Sequence, residues 1–134
     1  MSEPTERPVV LIVDDEPLII DLLREALEEA GFSSVQAAGA DEAFALLETD
    51  GPTFIGVVTD INLGSKRDGW DVARRAREQN AAIGVVYCSG ANPHDWSIKG
   101  VPQSVVLTKP FAAAQVVVAL SNQINASSAG ARDA

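Results

Sequence analysis

The chain has 134 residues, 46% of them hydrophobic and 22% charged, with a formal net charge of -9; this is the composition of one folded domain burying roughly two-thirds of its unfolded surface. The negative balance argues against a nucleic-acid partner gripped through phosphates. The acidic start MSEPTERP and the lack of an apolar run of about 18 residues predict neither signal peptide nor membrane span, and the single Cys88 excludes an internal disulfide and fits a reducing cytoplasm.

Val9 to Val13 (VVLIV) is a continuous β-branched run, the pattern of a strand covered on both faces. Pro17 opens a helix whose Ile19, Leu22, Leu23, Ala26, Leu27 and Ala30 repeat at helical spacing until Gly31 stops it. Val35 to Ala38 reads as a short second strand, and Asp41 as the N-cap of a second helix carrying Ala43, Phe44 and Leu47. Ile55 to Thr59 is the third strand, followed by a Gly-containing loop and a helix from Asp68 or Gly69 to about Gln79. Ile83 to Cys88 is the fourth strand, and Asn92-Pro93 starts one short helical turn. Ser104 to Thr108 is the fifth strand, and Ala113, Val116, Val117, Leu120 and Ile124 stripe a last helix. The expected division is a flexible tail over 1–8, one domain over 9–125 and a flexible tail over 126–134.

Five strands alternating with helices predict an α/β fold, a parallel sheet wrapped on both faces. In such sheets the site lies beyond the carboxyl ends of the strands. Strand one ends in Asp14, Asp15 and Glu16, strand three in Asp60, strand four in Ser89, and strand five runs into Lys109-Pro110. Taken singly, each has an ordinary role. Asp14 and Asp15 serve as helix caps, Asp60 as a turn residue, Lys109 as a solvated charge and Ser89-Gly90 as a turn. Charged groups landing on separate tips of one sheet edge are harder to explain as decoration.

Clustered carboxylates repel one another unless a cation is present, and oxygen ligands with open water positions suit Mg²⁺. A carboxylate beside that ion can act as a nucleophile and form an aspartyl phosphate. The protein's part in such a transfer is mostly positioning and charge neutralisation, by Mg²⁺ and Lys109, with a hydrogen bond from Ser89.

These residues resemble the receiver domains of two-component response regulators: Asp14-Asp15, Asp60, Asp68-Gly69, Ser89 and Lys109-Pro110-Phe111 occur in the family's order and spacing. The resemblance spans about Val9 to Asn125 and implies a flavodoxin-like (βα)5 sandwich with strand order 2-1-3-4-5. It implies that Asp60 accepts a phosphoryl group from a sensor histidine kinase or a histidine phosphotransfer protein. Asp14, Asp15, Asp60 and the backbone carbonyl of Asn62 would hold Mg²⁺ or Mn²⁺. Lys109 would pair with the phosphoryl oxygens, Ser89 would move towards them as the switch, and Pro110 would be a cis or turn proline. The chain would be a cytoplasmic signalling domain rather than an enzyme, with an unidentified downstream protein as partner and neither nucleic acid nor membrane.

Two departures from the family pattern stand out. The aromatic residue usual three positions before the lysine is replaced by Val106, which has no ring to rotate. The loop INLGSKRDG is one residue longer than usual and lacks its Met-Pro. Tyr87 to Asn92 (YCSGAN) resembles, in its aromatic start and hydroxyl-glycine core, a receiver subgroup that lacks the strand-five aromatic and has a reduced helix four. Elsewhere His94 reads as a surface residue, Cys88 as a small buried hydrophobe, Trp70 and Trp96 as packing or contact residues, and Arg74, Arg75 and Arg77 as a solvated face.

Two rivals fit less well. A haloacid-dehalogenase-like phosphatase needs a second acid two residues after its nucleophile, where this chain has Asn62. A flavin binder needs a phosphate-cradling loop after strand one, where Asp14, Asp15 and Glu16 repel phosphate. Nothing in the chain reads as an output domain, so a stand-alone receiver is expected, although the same stretch would serve inside a larger hybrid kinase.

Overall fold

The computed structural model describes residues 7–90 and 96–133, without the side chains of 97 and 127–133. The elements run β1 (Val9–Val13), α1 (Pro17–Glu29), β2 (Ser33–Ala37), α2 (Ala40–Asp50), a 3₁₀ turn (Gly51–Thr53), β3 (Phe54–Asp60), α3 (Gly69–Gln79), β4 (Gly84–Ser89), α4 (Trp96–Lys99), β5 (Val105–Thr108) and α5 (Ala113–Asp133). The strands pair in parallel in the order β2-β1-β3-β4-β5, as expected. β1 and β3 are therefore neighbours, which sets the tips of both side by side.

Alternation along the strands sends side chains to two separate cores. Leu11, Val13, Val57, Val85 and Tyr87 face α2 and α3, meeting Leu47, Trp70 and Ala73. Val10, Ile12, Val58, Val86 and Cys88 face α1 and α5, meeting Leu23, Leu27, Val116 and Leu120. Each fully buried Leu or Val adds about 1.5–3 kcal/mol. Cys88 belongs to this second core, and burial pushes its thiol up to about 12. Trp70 packs inside, its ring centroid 4.6 Å from that of Tyr87, whereas Trp96 is partly exposed.

Several local expectations are corrected. Gly39, not Asp41, is the N-cap of α2; Asp41 lies in the first turn, where its charge still favours the helix N-terminus. Arg77 is not solvated: its Nε donates to the Ile83 carbonyl at 2.8 Å and its Nη1 to the Pro102 carbonyl at 2.7 Å. Arg74 and Arg75 do lie on the outer face as expected, paired there with Asp71 and with Glu48 and Glu78. Residues 126–133 continue α5 as helix instead of ending as a tail, in keeping with Ala126, Ala129 and Ala131, which favour helix. Residues 1–6 of the expected first tail, the Asn92-Pro93 turn and His94 lie outside the described residues.

Where β5 has not yet begun, Gln123 of α5 takes its place. Its Oε1 accepts the Val85 N–H at 2.9 Å and its Nε2 donates to the Val85 carbonyl at 2.8 Å. Among the described residues no helix is long and apolar enough to cross a membrane.

Candidate functional site

Asp14 follows the last residue of β1, and its N–H still pairs with the Ala37 carbonyl of β2 at 3.1 Å. Its side chain turns back, Oδ1 accepting the Glu16 N–H at 2.9 Å, while Glu16 is the N-cap residue of α1. Asp14 is buried and Asp15 exposed. On the adjacent strand Asp60 closes β3 at 9% exposure, with Oδ1 3.3 Å from the Asn62 N–H. Carboxylate oxygens of Asp14, Asp15 and Asp60 all lie within 4.8 Å of one another.

Lys109 reaches in from the end of β5. Its Nζ stands 3.3 Å from Asp60 Oδ2, 3.7 Å from Asp14 Oδ2 and 3.2 Å from Glu16 Oε1. Its N–H donates to the Ser89 carbonyl at 2.7 Å, joining the tips of β4 and β5, and the Lys109-Pro110 bond is cis. Ser89 is buried beside them at the end of β4. Asp14, Asp15, Asp60, Ser89 and Lys109-Pro110 thus gather at one sheet edge, with Asn62 two residues beyond Asp60 on the loop that follows β3.

Electrostatics follows from this crowding. Burial raises the Asp14 carboxyl above its ordinary 3.8, more than the Glu16 N–H and the Lys109 charge pull it down. For Lys109, burial works to lower the pKa, but Asp14 and Asp60, helped by Glu16, outweigh it and raise it. Lys109 is therefore a fixed cation through the physiological range. A buried carboxylate beside two others is the environment that a hard divalent cation relieves. The donor set, all carboxylate oxygen with one exposed member, fits Mg²⁺ or Mn²⁺ better than a softer metal.

Other residues also shape the site. Glu16 shares Lys109, a role hinted at only by the run Asp14-Asp15-Glu16. Thr59 Oγ1 donates to the Asp60 carbonyl at 2.8 Å. Gly69 donates its N–H to the Ile61 carbonyl at 2.8 Å, and a Cβ there would collide with the Asp60 carbonyl oxygen. Asp68 caps α3 by accepting the Asp71 N–H at 3.1 Å, while Asp71 Oδ2 accepts the Asp68 N–H at 3.0 Å.

Residues 10–121 match the sequence profile of the response regulator receiver domain. The chain is 30% identical over 109 residues to the alkaline phosphatase synthesis transcriptional regulatory protein PhoP of Bacillus subtilis, covering 80% of this chain and 44% of that protein. It is 33% identical over 112 residues to the nitrogen assimilation regulatory protein NtrX of Azorhizobium caulinodans, covering 81% of this chain and 24% of the relative. The chain spans about a quarter to a half of the length of the curated relatives it matches first. A crystal structure of a response regulator receiver protein from Sinorhizobium medicae superposes with a TM-score of 0.86 at 38% identity, covering 91% of this chain and 98% of that one. A receiver domain protein from Methanospirillum hungatei, 20% identical, shares the fold with a TM-score of 0.80, covering 93% and 99%. Receiver domains accept a phosphoryl group on an aspartate from histidine kinases, and they bind Mg²⁺ at an acidic pocket. With that match over most of its length and with the acidic edge described above, this chain belongs to the response regulator receiver domain family.

Proposed function

We propose that Asp60 is the phosphoacceptor of this receiver. An Asp60 carboxylate oxygen attacks the phosphorus of a phosphohistidine on a histidine kinase or phosphotransfer protein. The P–N bond breaks, the electron pair leaves with the imidazole nitrogen, and that nitrogen takes a proton from solvent. Mg²⁺ or Mn²⁺, when bound, supplies neutralising charge for the phosphoryl oxygens. Asp14, Asp15, Asp60 and the Asn62 carbonyl hold it. Lys109 exchanges carboxylate for phosphoryl oxygens, and Ser89 donates its hydroxyl to the group as the switch.

The observation that carries this reading is the 3.3 Å approach of Lys109 Nζ to Asp60 Oδ2, next to two more carboxylates. A fixed cation already touching the acceptor meets the incoming charge with no reorganisation. The chain's own chemistry is limited to gaining and losing this phosphoryl group, and the signal leaves through changed partner binding or onward transfer to another histidine.

Intact mass after incubation with a small phosphodonor tests the assignment. Wild type gains one phosphoryl group in Mg²⁺ and none in chelator, and Asp60→Asn gains none in either. An adduct that persists in Asp60→Asn overturns it.

A further inference from the structure

We infer that Arg67, with Phe44 and Asp41 of α2, is a positioning residue for divalent-ion binding, acting through the loop that carries Asn62; the inference rests on the ligand assignment proposed above. Two of the four proposed ligands, Asp14 and Asp60, stand at strand tips whose places are set by the sheet, and Asp15 directly follows Asp14. The fourth is a main-chain carbonyl on the loop between β3 and α3. Its position is only as good as the loop's.

That loop is anchored at both ends. Ile61 donates its N–H to the Cys88 carbonyl at 3.1 Å, and Leu63 is buried in the core under α2 and α3. At the far end the Asp68–Asp71 capping box and the Gly69 to Ile61 hydrogen bond fix the start of α3. Between them Gly64 takes a positive φ of 74° and Ser65 and Lys66 are exposed. Arg67 is the point where this exposed arc is tied down. Its guanidinium carbon lies 3.8 Å from the Phe44 ring centroid, its Nη2 lies 2.6 Å from Asp41 Oδ1, and its carbonyl accepts the Ser65 hydroxyl at 2.8 Å.

A planar guanidinium can stack on a ring and pair with a carboxylate together, which an ammonium does less well. The ring is itself held, since Phe44 packs against the buried cluster beneath α2. The helix that receives Arg67 is also tied to the metal carboxylates. Glu42 accepts the Ala38 N–H at 2.9 Å, and the neighbouring Ala37 carbonyl accepts the Asp14 N–H at 3.1 Å. The clamp therefore refers the Asn62 loop and the Asp14 tip to one frame, the junction of β2 and α2.

The test is titration of Mg²⁺ into the whole chain, followed by amide chemical shifts and by the rise in melting temperature, for wild type and clamp variants. Arg67→Ala and Phe44→Leu should each weaken Mg²⁺ binding about fivefold, because a loop the clamp no longer holds must be ordered again when the ion binds. Phe44→Tyr keeps the stacking face and should bind as wild type does. In chelator the melting temperature of Arg67→Ala should stay close to that of wild type, because Arg67 is exposed, and that of Phe44→Leu should fall by a few degrees, because the ring also packs against the core under α2. Arg67→Ala binding Mg²⁺ as tightly as wild type overturns the clamp, as does Phe44→Tyr proving as weak as Phe44→Leu. In either case a wild type that binds Mg²⁺ and is phosphorylated on Asp60 leaves the receiver assignment standing. A wild type that binds no Mg²⁺ overturns both.

Discussion

Tyr87 accepts the N–H of Val101 on its phenol oxygen at 3.1 Å, tying the middle of β4 to the stretch that follows α4. The same stretch is closed by Ser104, whose hydroxyl accepts the Trp96 indole N–H at 3.0 Å and donates to the Val101 carbonyl at 2.6 Å. Tyr87 lies beside Val106 in the sheet register, so an aromatic ring lacking on β5 at that level is present one strand inward. It is fully buried, and burial raises its pKa.

Tyr87→Phe keeps the ring and removes the acceptor, leaving a buried N–H unpaired. The expected loss is about 1–3 kcal/mol in denaturant unfolding. Wild-type stability in this variant would show that water or another group takes over the Val101 N–H.

Lys109→Met removes the ammonium shared by Asp14, Asp60 and Glu16 while keeping the length of the side chain. In chelator the variant should lose about 2 kcal/mol, because buried carboxylates are left without that counter-charge. Added Mg²⁺ should shrink the difference, since the ion supplies charge to the same oxygens. Thermal melts with and without Mg²⁺ read both effects, and an unchanged gap would count against metal binding among these carboxylates.

Asp71 gives a pH dependence whose sign is fixed by the capping box. The Asp68 N–H first, then Arg74, lower its pKa below the ordinary 3.8. The folded state therefore favours the charged form, and the stability this adds is present above 3.8 and lost as the pH falls through the lowered value. Asp71→Asn should be less stable than wild type at neutral pH, with the gap closing below that point. Melting curves taken across the acid range check it; a gap independent of pH would remove the carboxylate from the account.

Gly69→Ala sets a methyl group against the Asp60 carbonyl oxygen and 2.8 Å from the Ile61 Cα. Backbone on both sides leaves nothing flexible to yield. The expected cost is about 1–3 kcal/mol, the usual range for an overpacked site. Phosphoryl uptake should fall as well, because the backbone that must move carries Asp60. Unfolding and intact-mass measurements on one preparation separate the two effects.

The central sheet was legible because buried parallel strands read as continuous apolar runs, as in Val9–Val13 and Val85–Val86. The edge was less so. β2 begins at Ser33, two residues before the expected Val35, because an edge strand tolerates Ser33, Ser34 and Gln36 without a hydrophobic signal. The residues at the site were legible because they stand on strand tips, where topology alone brings them together. Glu16 on Lys109, Arg77 on the Ile83 and Pro102 carbonyls, and Arg67 on Phe44 were not. Their partners depend on the path of a loop or on contacts up to 93 residues away, and no spacing rule records those.

The amide of Gln123 laid against Val85 has a bearing on how copies of this chain meet in a crowded solution. A flat, unpaired strand margin is a template for a neighbour's backbone, the first step towards aggregates. With both polar groups of Val85 already taken by a side chain, a foreign strand approaching there finds no donor and acceptor to copy. Sheet extension on that flank is confined to the four residues of β5, a ledge roughly 13 Å long, too short to nucleate a lasting pair by itself.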